Sequence, residues 1–386
     1  MAATPSLWPD PPVNQDRLLA LFRDLVRINA PALAERDCAD YLLAHLKSLG
    51  LEVWEDDAGS RVGGNCGNVI AVLKGNTPGL PRVFLSAHMD TVEPTAGLVL
   101  VEEDGVIRTD QTTILGADDK AGVAPAIEAV RLLQESGAPH GDVVLIFSIA
   151  EEIGLIGAKE VDLESLNVDF GYVLDTGPPV GSFVTRTATH DKLNVTFHGL
   201  PAHAGKDPEK GIDAIQVAAR AISRMKLGRI GPETTANFGV IQGGTAVNVV
   251  CPLVKLKGEA RSTNVAELDA QVAHMKECLE EAAAHFGARL ELDYARHYHA
   301  YEVAADAPVL GFAMRASSRL GFDAFTRTTL GGSDANVFNA RGVPAIVIGT
   351  GMEQIHTHQE WIKVEDLVQT ARLTYGILVE IGASAG

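Results

Sequence analysis

Apolar positions along this 386-residue chain follow two rhythms. Three-to-four spacing over Asp16–Ile28 and Ala34–Leu49 predicts two helices near the start. Short apolar runs follow at Asn68–Leu73, Val83–His88, Val143–Ile149 and Tyr172–Leu174, with a helical stretch Ala121–Gln134 among them. Strands this apolar suit burial on both faces. Interleaved with helices, they predict a largely parallel α/β sheet covered on both sides.

The pattern changes near Lys192. Leu193–Phe197, Thr235–Ile241, Val249–Arg261 and Leu290–Arg296 read as strands, and Gly211–Met225 and Val265–Phe286 as helices. The order β-α-β-β-α-β is that of a ferredoxin-like unit. Helices Pro308–Leu320, Ser333–Arg341 and Val364–Ile381 and a strand Ala345–Ile348 then restore the α/β character. The expected organisation is one α/β domain, residues 1–190 and 304–386, interrupted by a smaller inserted domain over residues 191–303. No internal repeat or low-complexity segment is present.

A formal net charge of −18 argues against nucleic acid as a partner, since phosphate binding needs clustered Lys and Arg. No apolar stretch approaches the roughly 20 residues of a membrane span. Residues 1–10 lack the basic start and apolar run of a signal peptide. The four cysteines, Cys38, Cys66, Cys251 and Cys278, show no C-x-x-C spacing and suggest a reducing compartment. A cytoplasmic protein is expected.

The candidate chemistry begins with Glu151-Glu152, at the end of the apolar run from Val143. An unpaired buried charge costs several kcal/mol, so two carboxylates there call for something cationic. A metal is the economical answer. His88 and Asp90 follow one strand, Asp175 follows another, Asp118-Asp119 precedes a helix, and a late histidine stands in Ile355-His-Thr-His-Gln-Glu360 as His356 or His358. Imidazole nitrogens and carboxylate oxygens are the ligands of hydrolytic metal pairs, and open α/β sheets place their sites at strand carboxyl ends. Each feature alone has an ordinary explanation: Asp118 as a helix cap, Glu151-Glu152 as a solvated loop, Asp175-Thr176-Gly177 as a turn. Their succession at one element end after another sets them apart.

The segments Ser86-Ala-His-Met-Asp-Thr91, Gly116-Ala-Asp-Asp-Lys-Ala-Gly122, Ala150-Glu-Glu-Ile-Gly154, Leu174-Asp-Thr-Gly177 and Gly331-Gly-Ser-Asp-Ala335 closely resemble the dizinc peptidases. That family includes peptidase T, carboxypeptidase G, aminoacylase and succinyl-diaminopimelate desuccinylase. The wording around Asp118 is most similar to the peptidase T branch. The resemblance implies a catalytic domain with an inserted lid, and two Zn²⁺ per chain, with Co²⁺ or Mn²⁺ as substitutes. His88 and Asp175 would hold one metal and Glu152 and His356 the other, with Asp118 bridging. Asp90 would hydrogen-bond the His88 imidazole, and Glu151 would be the general base, its side chain pointing opposite to that of Glu152 as for neighbours on a strand. A cis peptide is expected at Asp118-Asp119. The family spacing of His, three residues, Glu selects His356 with Glu360 over His358.

In the inserted domain, Gly199-Leu-Pro-Ala-His203-Ala-Gly205 resembles the loop whose His stabilises the oxyanion, often across a dimer. Asn248 and Arg261 match residues that hold substrate polar groups, and Gly332 and Ser333 would bind substrate near the metals. The implied activity is exopeptidase action on short peptides, as a tripeptidase or aminopeptidase. An N-acyl amino acid deacylase using the same centre is the alternative, and an inactive metal-binding homologue a remote third. The chain has no G-x-S-x-G elbow, H-E-x-x-H helix, P-loop or G-x-G-x-x-G.

Overall fold

The computed structural model describes residues 13–385; the signal-peptide reading of residues 1–10 lies outside them. The chain forms two compact units. One runs up to Thr185 and takes in Glu302–Thr328 and the chain from Ser333 onward; the other comprises Arg186–Tyr301 and Thr329–Gly332.

The larger unit is built on an eight-stranded sheet. Its spatial order is Glu52–Glu55, Val69–Leu73, Val143–Ser148, Val83–His88, Phe170–Val173, Ala345–Ile348, Ser182–Arg186 and Phe325–Thr328. The four strands from Val143–Ser148 to Ala345–Ile348 are mutually parallel. Every residue of these four is buried, which is the continuous apolar reading of a sheet covered on both faces. Outside them the pairing turns antiparallel, Val69–Leu73 against Val143–Ser148 and Ser182–Arg186 against Ala345–Ile348. The parallel reading therefore holds for the centre of the sheet and not for its margins. Helix Asp334–Ala340 is pinned to the sheet by Phe338, whose ring meets Phe84 edge-on at 4.7 Å, an arrangement worth about 0.5–1.5 kcal/mol beyond area burial.

A separate hairpin was not anticipated. Leu100–Glu103 and Val106–Thr109 pair around Asp104-Gly105, both with positive φ, and Trp361–Lys363 adds a third strand. The Asp-Gly pair between short apolar runs is the local signal for it.

The smaller unit is an antiparallel five-stranded sheet ordered Gly228–Gly231, Thr234–Gly243, Leu253–Ser262, Thr189–His198, Arg289–Tyr298. Helices Ala214–Arg224 and Val265–Phe286 cover one face through Leu193, Val195, Leu256, Val217 and Leu279. The β-α-β-β-α-β order is present, with Gly228–Gly231 as an additional strand. The predicted strand Val249–Arg261 starts only at Leu253, because Pro252 has no N–H to give to a ladder. Among the described residues no helix is long and apolar enough to cross a membrane.

Candidate metal centre

The parallel register brings the candidate residues to one sheet edge. His88 ends its strand opposite Ser148, and Ser86 lies opposite Val173. The chain leaving these strands therefore carries His88, Glu151-Glu152 and Asp175 side by side, and the loop after Ala345–Ile348 carries His356. Asp118 comes from elsewhere, in the first turn of helix Ala117–Ser136. That turn is non-helical at Asp118 and Asp119, which are joined by a cis peptide bond. Gly116 precedes it at φ +70°, and a Cβ there would meet Thr91 Cγ2 at 3.1 Å, so only glycine makes the turn without strain.

Asp118 stands between two imidazoles. Its Oδ1 lies 3.0 Å from His88 Nε2 and its Oδ2 lies 3.1 Å from His356 Nε2. Glu152 Oε1 is 3.1 Å from the same His356 nitrogen, and Asp175 Oδ1 is 3.9 Å from His88 Nε2. His88, Asp118 and Glu152 can each present a ligand atom within 4.8 Å of the others, as can His88, Asp119 and Asp175. His358 is not in this cluster; its ring bonds Glu93 Oε1 at 2.7 Å and Gln111 O at 3.2 Å.

Two expectations change here. The strand ends at Ser148, so Glu151 and Glu152 lie in a turn and strand alternation does not set their directions. The turn is instead held by Asp90, whose two oxygens accept the N–H groups of Glu151 at 3.0 Å and Glu152 at 3.1 Å. Asp90 also meets His88 mainly through its backbone: His88 Nδ1 is 3.0 Å from the Asp90 carbonyl and 3.4 Å from its carboxylate. A carbonyl acceptor fixes the tautomer equally well.

Two supporting groups escaped sequence reasoning, and a third was read only as the neighbour of Asp118. Buried Glu35 accepts the N–H of Ala150 at 2.9 Å. Lys120, fully buried, donates to the Met89 carbonyl. Asp119 is a further carboxylate in the cluster, and its adjacency to Asp118 was the available signal.

Electrostatics favour a cation. Burial pushes the Glu151, Asp175 and Asp119 carboxyls well above the ordinary range, with neighbouring carboxylates adding to it. Burial also acts to raise Asp118, but hydrogen bonds from His356 and His88 outweigh it and hold Asp118 low. The bonds to Asp118 and Glu152 push His356 up to about 10. One oxygen of Asp119 is buried with no hydrogen-bond partner. Crowded carboxylates, an orphaned oxygen and two imidazoles sharing one carboxylate form a donor set that suits divalent cations. The residues present fit a metal pair.

The remaining candidates divide between the units. Ser333 is buried in the larger one. In the smaller, the His203 loop pairs with the Asn248 segment: Ala204 N–H donates to Asn248 O at 3.0 Å, and Gly205 N–H to His203 Nδ1 at 3.1 Å. Arg261 forks onto Glu259 at 3.2 and 3.0 Å and reaches Leu330 O at 3.2 Å. Gly332 abuts Tyr298, where a Cβ would lie 2.2 Å from the ring, so packing alone requires glycine there.

The model of peptidase family M20/M25/M40 matches residues 84–380. A similar curated relative is the uncharacterized protein YqjE of Bacillus subtilis, 42% identical over 368 residues, covering 95% of this chain and 99% of that one. Among solved structures, aminopeptidase PepT from Bacillus cereus superposes with a TM-score of 0.85 at 41% identity, covering 96% of this chain and 100% of that one. A tripeptidase from Staphylococcus aureus gives a TM-score of 0.90 at 36% identity, covering 97% and 100%. The parallel-centred sheet, the separate antiparallel unit and the buried His–carboxylate cluster are those of a hydrolytic metallopeptidase, and the chain belongs to peptidase family M20/M25/M40, in its peptidase T-like branch.

Proposed function

We propose that this protein is a dizinc exopeptidase that removes the N-terminal residue from tripeptides and other short peptides. The observation that carries the reading is the Asp118 carboxylate, with one oxygen facing His88 and the other facing His356. The names of the Bacillus and Staphylococcus relatives, an aminopeptidase and a tripeptidase, support the substrate class.

In this reading His88 and Asp175 would hold one metal and Glu152 and His356 the other, with Asp118 as the carboxylate they would share. When bound, zinc, or Co²⁺ or Mn²⁺ in its place, would supply the Lewis acidity that makes a water nucleophilic near neutral pH and polarises a carbonyl. Glu151 takes the proton of the attacking water and passes it to the leaving amine. Asp90 keeps Glu151 and Glu152 in register by holding both amides. His203 donates to the oxyanion from Nε2, since Nδ1 is occupied as an acceptor. Asn248, Arg261, Gly332 and Ser333 line the substrate.

We assign the protein to the cytoplasm, in keeping with its four free, buried cysteines. A homodimer through the smaller unit is supported by its sheet edge. Gly228–Gly231 pairs only with Thr234–Ala236, leaving the rest of Thr234–Gly243 as an edge with Val240 and Ile241 exposed.

The test is a panel of tripeptides, dipeptides and N-acyl amino acids presented to the zinc-loaded chain. Release of free N-terminal residues from tripeptides is expected. Release of acetate from N-acetyl amino acids with tripeptides left intact would select the deacylase.

A further inference from the structure

Glu360 is a buried carboxylate, 1% exposed, four residues beyond His356. Its oxygens accept two backbone N–H groups of the turn that carries Asp118, from Gly116 at 2.7 Å and from Asp118 itself at 2.9 Å. That turn needs outside acceptors. Gly116 is the N-cap of helix Ala117–Ser136 and offers no side chain, while the first N–H groups of a helix have no partner within it. The acceptor arrives from 242 residues away. The loop that delivers it is closed by backbone bonds in both directions between Glu353 and Trp361, at 2.9 and 3.1 Å.

The same loop carries His356 at φ +62°. One carboxylate thus joins the backbone of Asp118 to the segment whose imidazole meets the Asp118 side chain at 3.1 Å. We propose that Glu360 is a positioning residue of the metal centre, setting the reach between Asp118 and His356 by holding the Asp118 amide to the His356 loop. This rests on the reading of Asp118 and His356 as metal ligands. Without this acceptor two N–H groups of a buried turn would be left unpaired, and losing a group that orients a metal ligand commonly weakens metal binding about 10–100-fold.

Glu360→Gln keeps the volume of the side chain but turns one acceptor into an NH₂ group that confronts a backbone N–H. The experiment measures Zn²⁺ affinity, by competition with a chelator, for the full-length wild type, Glu360→Gln and Asp191→Asn. Asp191 is an equally buried carboxylate of the other unit, held by Arg296 and Tyr294. Glu360→Gln should bind Zn²⁺ about 10–100-fold more weakly at one or both positions. Asp191→Asn should melt at a lower temperature with Zn²⁺ affinity unchanged. A Glu360→Gln protein with lowered melting temperature and wild-type Zn²⁺ affinity would make Glu360 a fold-stabilising residue only and overturn the proposal. Should Glu360→Gln not fold, Glu360→Asp keeps the charge at shorter reach and should show an intermediate loss of affinity; wild-type affinity there overturns the proposal equally. A wild type that binds no Zn²⁺ at all would refute the proposed function instead.

Discussion

The carboxylate of Asp90 accepts the backbone N–H of Glu151 on one oxygen and that of Glu152 on the other, at 3.0 and 3.1 Å. The strand has already ended at Ser148 and Ala150 sits at φ +51°, so nothing in a regular ladder fixes these two side chains. Asp90 does so from the neighbouring strand's exit. Asp90→Ala leaves the buried amide of Glu151 and the half-buried amide of Glu152 without their acceptor, at about 1–3 kcal/mol for the buried one. The variant should lose turnover and melt at a lower temperature, measured by tripeptide hydrolysis and thermal denaturation. Asp90→Asn keeps one acceptor and should fall between.

Asp118→Ala removes the anion shared by two imidazoles. Elemental analysis should find fewer than two metals per chain, because metal binding depends on a complete set of deprotonated ligands. Unchanged stoichiometry would remove the bridging role.

His203→Ala should lower kcat by about 10²–10³-fold, the range for loss of an oxyanion donor, with metal content unchanged. Near-normal turnover would return His203 to an ordinary exposed loop residue.

Acid stability offers a check on the smaller unit. His190 holds the Glu259 carboxyl down to about 2, with Arg261 adding to it against the cost of burial. A carboxyl depressed in the folded state stabilises at pH above its ordinary value near 4.5, and that stability disappears as pH falls toward 2. Glu259→Gln should therefore flatten the decline in melting temperature between about pH 4.5 and pH 2. An unaltered decline would mean that Glu259 is not depressed.

Much of the site was legible because it violates the rules of burial. Carboxylates just beyond the ends of apolar strands, such as Glu152 and Asp175, contradict their surroundings unless a cation is near, and that contradiction can be read without a structure. The central parallel strands were legible for the converse reason, since Val83–His88 and Val143–Ser148 carry no polar face. What could not be read was support delivered across long sequence separations. Glu35 reaches Ala150 over 115 residues and Glu360 reaches Asp118 over 242; Glu35 does not depart locally from a surface glutamate, and the spacing that marks Glu360 gives no sign of the amide it reaches. The antiparallel margins were illegible too, because Val69–Leu73, buried at all but its last residue, reads like the parallel strands beside it. Direction there is set by the connection and not by composition.

The most direct measurement combines metal content and tripeptide cleavage for the wild type and Glu151→Gln. The wild type should hold two zinc ions per chain and release free N-terminal residues from tripeptides. Glu151→Gln should hold the same two ions and release none, if as proposed its carboxylate serves the water and not the metals. Loss of a metal on replacing Glu151, or tripeptide cleavage that survives the replacement, would contradict the account.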